Sequence, residues 1–175
     1  MDKLDIVTDE SGNEVVLLPE IIFSNKQNIN WNDVEDYLGK YVGELIEIAE
    51  TRDIIYIGNK FPDEYGGSSY TRKTKGARAK ANANAAQGIR EMVEIATDKV
   101  YRENHKEKHS EDAHNGWFYY VTRFAIPLYN NEKKTGEYNV YSACLVVNHA
   151  ANGKMYLYDV VGIKKEASNP LKTIK

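Results

Sequence analysis

Between Trp117 and Val161, large apolar side chains recur at every second position, the period of a β-strand. Phe118, Tyr120, Thr122, Phe124, Ile126 and Leu128 fall on one face of the first such segment. Trp117, Tyr119, Val121 and Arg123 fall on the other. Asn130 to Glu137 reads as a hairpin-like loop, and Tyr138 to Asn148 as a second strand. Ala151-Asn152-Gly153 carries the Asn-Gly signal of a tight turn. Met155 to Val161 is then a third strand. Short loops between successive strands predict an antiparallel meander.

Upstream the period changes. Residues 73–97 carry alanine at 77, 79, 81, 83, 85 and 86, and alanine has the highest helix propensity. Gly88 divides this stretch, and Met92, Val93 and Ala96 share one side of its second half. Small side chains also let a helix lie close to a sheet. Val34, Tyr37, Leu38 and Tyr41 form the apolar face of an earlier helix, capped by Asn30 or Asn32. Ile46, Ile48, Ile54, Ile55 and Ile57 suggest short extended pieces joined by a turn at Thr51-Arg52-Asp53. Glu14 to Leu18 reads as a short strand after Ser11-Gly12-Asn13, and Pro19 ends it. Residues 59–72, with Phe61-Pro62, Gly66-Gly67 and Ser68-Ser69, read as a loop rich in groups able to bind something. Residues 98–116 are polar and hold His105, His109 and His114.

These elements predict an α+β fold. N-terminal helices and the alanine-rich helix pack on a small antiparallel sheet of three to five strands. Residues 1–30 form an N-terminal extension or first strand, 31–171 a single domain, and 172–175 a tail.

Composition agrees with a folded chain: of 175 residues, 42% are hydrophobic and 28% charged. Apolar runs such as Val15-Val16-Leu17-Leu18 are too short to cross a bilayer, so no membrane partner is expected. No secretory signal is expected either, which points to the cytoplasm. One cysteine, Cys144, excludes an internal disulfide framework. The net charge of −3 is unevenly spread: residues 1–64 carry a net −10 and residues 65–175 a net +7. Two readings are open: the basic part meets a polyanion, or the two parts neutralise each other.

Several chemistries drop out. His105 and His109 enclose Lys106-Glu107-Lys108, giving HKEKH where a zinc protease needs HExxH, so no metal is expected. Cys144 sits in an apolar strand and reads as an inert buried thiol. No glycine-rich string matches a phosphate-binding loop or dinucleotide fingerprint, and no cofactor is expected. The cations are more informative. Arg78, Lys80, Lys106, Lys108, His109, Arg123, Lys164 and Lys165 are candidates to face a phosphate. Metal-independent RNA cleavage needs a base for the 2′-hydroxyl, an acid for the leaving 5′-oxygen, and cations for the phosphoryl charge. Histidine suits the first two roles. Tyrosines, of which there are 13, can stack on unpaired bases. Each residue also has a plain structural reading: Tyr119 and Tyr158 as half-buried strand side chains, Lys164 as part of a solvated tail, Lys108 as part of an exposed helix face. Arg123 stands apart, because an arginine between apolar strand neighbours needs a partner or a ligand.

Four strings carry a family resemblance: KGARAKANANAAQGI (75–89), Lys108 to Trp117, TRFAIPLY (122–129) and GKMYLYDVVGIKKEASNP (153–170). With WNDVEDYLGKYVGELIEI (31–48) and IIYIGNKFPDEY (54–65), they resemble phage and prophage polyvalent-protein domains. Those domains are grouped with the barnase, EndoU, colicin and RelE-like nucleases. The resemblance implies the same small α+β fold, with an active groove on the sheet face away from the helix. It also implies RNA cleavage without a metal. On this chain it implies His109 as general acid or base, Lys108 and Arg123 as phosphate holders, and Tyr158 as a stacking or proton-donating group. Lys80 and Lys164 would line the rim. Apart from the resemblance, Arg78 of the cationic set and Tyr119 among the tyrosines are further candidate substrate contacts.

The leading expectation is thus a ribonuclease or toxin-like effector of a phage or mobile element, acting on tRNA or mRNA in the host cytoplasm. It would leave a 2′,3′-cyclic phosphate. The alternatives are an inactive RNA- or protein-binding module and a structural domain of phage head proteins. An immunity or virion protein is a possible partner, and the oligomeric state is open.

Overall fold

The computed structural model describes residues 3–24, 29–103, 115–166 and 170–172. The strands are β1 (Ile6–Thr8), β2 (Glu14–Leu17), β3 (Leu45–Glu47), β4 (Ile54–Tyr56), β5 (Thr97–Arg102), β6 (Trp117–Asn130), β7 (Lys133–His149), β8 (Met155–Lys165) and β9 (Leu171–Lys172). The helices are α1 (Trp31–Leu38), α2 (Phe61–Gly67), α3 (Ser69–Lys73), α4 (Gly76–Asn84) and α5 (Ile89–Glu94), with 3-10 turns at Gly39–Tyr41 and Ala85–Gly88.

These strands form one curled, mixed sheet in the order β1-β2-β6-β7-β8-β4-β3. β5 pairs with the first half of β6, and β9 with the first half of β7. This corrects the expectation of a small antiparallel sheet of three to five strands in a barnase- or RelE-like α+β fold. The meander β6-β7-β8 is antiparallel as expected, but β2 joins β6 and β4 joins β8 in parallel. The isoleucine-rich pieces β3 and β4 and the N-terminal hairpin β1-β2 extend the same sheet. Strands of three or four residues carry too little pattern to reveal which neighbour they pair with.

Three local expectations also change. The loop expected at 130–137 is a two-residue turn. Asn131 and Glu132 both take positive φ (49° and 68°), the conformation that matches strand twist, and pairing runs out to Asn130 and Lys133. The loop expected at 59–72 is α2 followed by α3. Pro62 sits in the first turn of α2, where its missing N–H costs nothing. Ser68 ends α2 and caps α3, its hydroxyl accepting from the Thr71 N–H at 3.1 Å. Finally, Thr97–Arg102, read as part of a polar connection, is the edge strand β5, with Val100 and Tyr101 exposed.

The core lies between one sheet face and the helices. Tyr120, Phe124 and Ile126 of β6 meet Tyr141, Ala143, Leu145 and Val147 of β7 and Leu157, Val160 and Ile163 of β8. Ala81, Ala83, Ala85 and Ala86 have no exposed surface, as expected of small residues against a sheet. Gly88 belongs to the same close approach: a Cβ there would stand 3.1 Å from Leu18 Cδ2 and 3.3 Å from Val16 Cγ1. Buried hydroxyls tie the layers together. Tyr41 donates to the Ala86 carbonyl (2.7 Å), and Thr122 to the Met92 carbonyl (2.7 Å). Tyr120 donates to Asp53 Oδ2 (2.7 Å), which also meets Lys99 Nζ at 2.9 Å. Burial opposes the Asp53 charge, but bonds from Lys99, Tyr120 and Thr51 hold its carboxyl below the usual aspartate value.

Candidate nucleic-acid interface

The helices cover one sheet face. On the other, the odd-numbered residues of β6 project, because strand side chains alternate. Part of that face is closed by a second apolar cluster of Val15, Leu17, Ala125 and Val140, packed with Val7, Tyr138 and Leu171. Trp117, Tyr119, Val121 and Arg123, further along it, are half-buried.

Three cross-strand rows build this surface. At one end Trp117 meets the edge of Tyr158 with ring centroids 5.0 Å apart. Beside it the Arg102 guanidinium lies 5.7 Å from the Tyr119 ring centroid. The middle row is apolar: Val121 pairs with Cys144, and Cys144 with Val161. Burial pushes the Cys144 thiol above its usual value, which disfavours the thiolate. The far row runs from Arg123 through Ser142 to Lys164. Arg123 Nε donates to Glu166 Oε1 at 2.9 Å, so the arginine has the partner its setting demanded. Lys164 is exposed.

The face is therefore aromatic at one end and cationic at the other. Four residues of strand and two strand spacings separate Arg123 from Tyr158, about 16 Å in all. Arg123 turns toward Glu166 and Tyr158 toward Trp117. The two do not converge on one phosphate. His109 and Lys108 lie outside the described residues. His149 packs against Phe118 (5.5 Å), on the helix side of the sheet. Lys80 and Arg78 are on α4, also on the helix side, and the Lys80 carbonyl accepts from Asn84 Nδ2 at 2.8 Å. Tyr119, Tyr158, Arg123 and Lys164 thus share the open face, while Lys80 and Arg78 do not.

Where β4 ends, the outer edge of β8 opens onto a cavity of about 270 Å³. Lys60, Phe61 and Glu64 line it from the α2 side, and Asn148, Tyr156 and Tyr158 from the sheet. Close by, Asp159 is 3% exposed and accepts from the Val160 N–H at 2.8 Å. Burial raises its carboxyl to about 7, against the Val160 and Ser68 hydrogen bonds, and the Glu64 charge adds to the rise. Among the described residues no group of three His, Cys, Asp or Glu side chains could hold a metal ion. No helix among them is long and apolar enough to cross a membrane.

No protein-family profile, curated protein or solved structure matches the chain. Sequence reading overlooked Arg102, Trp117 and Asp159 as site residues. Arg102 hides in an edge strand with little alternation. Trp117 was placed on the correct face, but its ring partner is two strands away. Asp159 carried a usable signal, a carboxylate inside LYDVVGI, the same kind of interruption that singled out Arg123.

Proposed function

We propose that this protein binds single-stranded RNA across the open face of its sheet. The observation that carries the proposal is the Trp117–Tyr158 and Tyr119–Arg102 aromatic end, continuous with the Arg123–Lys164 end on a face that no helix among the described residues covers. Aromatic side chains accept bases of any sequence by stacking, and cations beyond them meet the backbone. The middle row is apolar and uncharged, which suits bases and sugars better than phosphates.

Cleavage of the bound strand without a metal is the stronger form of this proposal. It rests on the nuclease resemblance and would use His109 and Lys108, with a 2′,3′-cyclic phosphate as product. Arg123 and Tyr158 would then hold different nucleotides, since they do not reach the same one. The same reading has the protein meet its RNA in a host cytoplasm.

The test is to titrate labelled single-stranded RNA in EDTA and map the RNA ends afterwards. Binding that weakens steeply with salt and is lost in Trp117→Ala with Tyr119→Ala supports the proposal. New ends carrying cyclic phosphate establish cleavage. RNA binding untouched by those two substitutions would remove the open face from the function.

A further inference from the structure

A separate group of positive charges stands apart from the open face. It lies at the α3–α4 turn, where Lys73, Lys75 and Arg78 are all exposed. Among the described residues, the ion pairs formed by Lys3, Arg52, Arg90, Lys99 and Arg123 involve none of these three. Lys73 stands in the last turn of α3, where a cation is favourable. Lys75 and Arg78 do not serve α4: its first turn holds no acid, and its amino end already carries positive partial charge, so cations there work against helix stability. Two cations that folding disfavours, beside a third and with no carboxylate paired to any of them, are best explained by an anion that arrives from outside.

The turn is also tied to the functional face. Tyr70 of α3 accepts from the Ile163 N–H of β8 at 2.7 Å. Lys73 is three residues on from Tyr70, on the same side of that five-residue helix. Lys165 closes that strand on the helix side, paired with Tyr141, while Lys164 projects on the open side, paired with Ser142. Beyond its short pairing with β4, the outer edge of β8 has no strand neighbour among the described residues. Positive charge therefore continues around this edge, from Lys164 on the open face, past Lys165, to the α3–α4 turn.

We infer that RNA bound on the open face leaves it over the edge of β8, and that Lys73, Lys75 and Arg78 hold the phosphates of that departing segment. This rests on the proposed RNA-binding function. It adds a second, purely electrostatic contact that recognises backbone and no base. It also gives Arg78 a role that its position on α4 denies it at the open face.

Fluorescence anisotropy with oligouridylate probes of about 4 and about 12 nucleotides, within the range single-strand sites span, tests this. The triple variant K73Q/K75Q/R78Q should bind the longer probe about tenfold more weakly, and its salt slope should fall by about 2 for three lost contacts. The shorter probe, accommodated on the open face alone, should bind both proteins equally. K73R/K75R/R78K should restore the wild-type slope, which separates charge from folding. If the triple variant keeps the wild-type affinity and slope while Trp117→Ala with Tyr119→Ala weakens both probes, the second contact is wrong and the open-face function stands. If only the triple variant weakens binding, the basic turn stands and the open face fails. If wild-type protein binds neither probe, both fall.

Discussion

The two faces of the β6-β7-β8 meander are built from the same strands yet do different work. On the helix side Tyr120, Phe124, Leu145 and Val160 are at most 1% exposed and packed on helices. On the open side Trp117, Tyr119, Val121 and Arg123 are half-buried, and their contacts are rings, a guanidinium and one carboxylate. Alternation alone assigns each residue to a face. What a face is for follows from what lies over it. The lesson is that aromatic and charged residues on the uncovered side need not be explained by stability, whereas those on the covered side must be.

The largest effect should come from the covered side. Phe124 stacks on Tyr141 with ring centroids 5.5 Å apart and has no exposed surface. Phe124→Ala should cost about 3–5 kcal/mol by urea unfolding, through lost transfer energy and a cavity. Val121→Ala, one pleat away on the open face, should cost much less. Equal losses would show that the open face is also core.

Next in size is the buried carboxylate of Asp159, whose folded value of about 7 lies above the usual aspartate value of 3.8. An acid whose value is raised on folding is protonated in the folded state while the unfolded chain has already ionised. Stability attributable to it therefore falls as pH rises from about 4 to 7 and stays low above that. Asp159→Asn removes that penalty and can still accept a hydrogen bond. It should stabilise the protein by roughly 2–4 kcal/mol at pH 8 and by little at pH 4. Thermal melts of variant and parent across this range check the sign. A variant advantage that grows toward acid would place the ionised carboxylate in a favourable setting instead.

Smaller effects sharpen the open side. Trp117→Ala should weaken single-stranded RNA binding by about 1–3 kcal/mol, the worth of one stacked base, while moving the unfolding midpoint little. Smallest is Tyr120→Phe, which removes the hydroxyl donated to Asp53 and should cost about 1–2 kcal/mol without changing RNA affinity. A change in affinity from Tyr120→Phe would couple the two faces and blur the distinction between them.

Much of the fold's local structure was legible. The alternation in β6, the apolar face of α1 with its Asn30 cap, and the division of the alanine-rich stretch at Gly88 all follow from spacing. The misread segments share a cause. Pro62, Gly66, Gly67 and Ser68 count as breakers in isolation, yet Pro62 sits where a helix starts and Ser68 where one ends and the next begins. β5 escaped because an edge strand exposed to solvent has little hydrophobic pattern to show. Of the candidate site, the face of Tyr119 and Arg123 was legible from parity. The Glu166 partner of Arg123 was not, because it is 43 residues away.

The order of residues by itself determined which positions alternate, where helices begin, and which side of β6 carries aromatic and cationic groups, since these depend on neighbours within a few residues. Tertiary structure alone decided that short isoleucine-rich and N-terminal strands enlarge the meander into a nine-stranded mixed sheet. It also decided that Trp117 meets Tyr158, and that α3 bonds to β8 through Tyr70 and the Ile163 N–H. Those outcomes depend on contacts between residues far apart in the chain, whose partners are chosen by the packing of the whole core and leave no local trace.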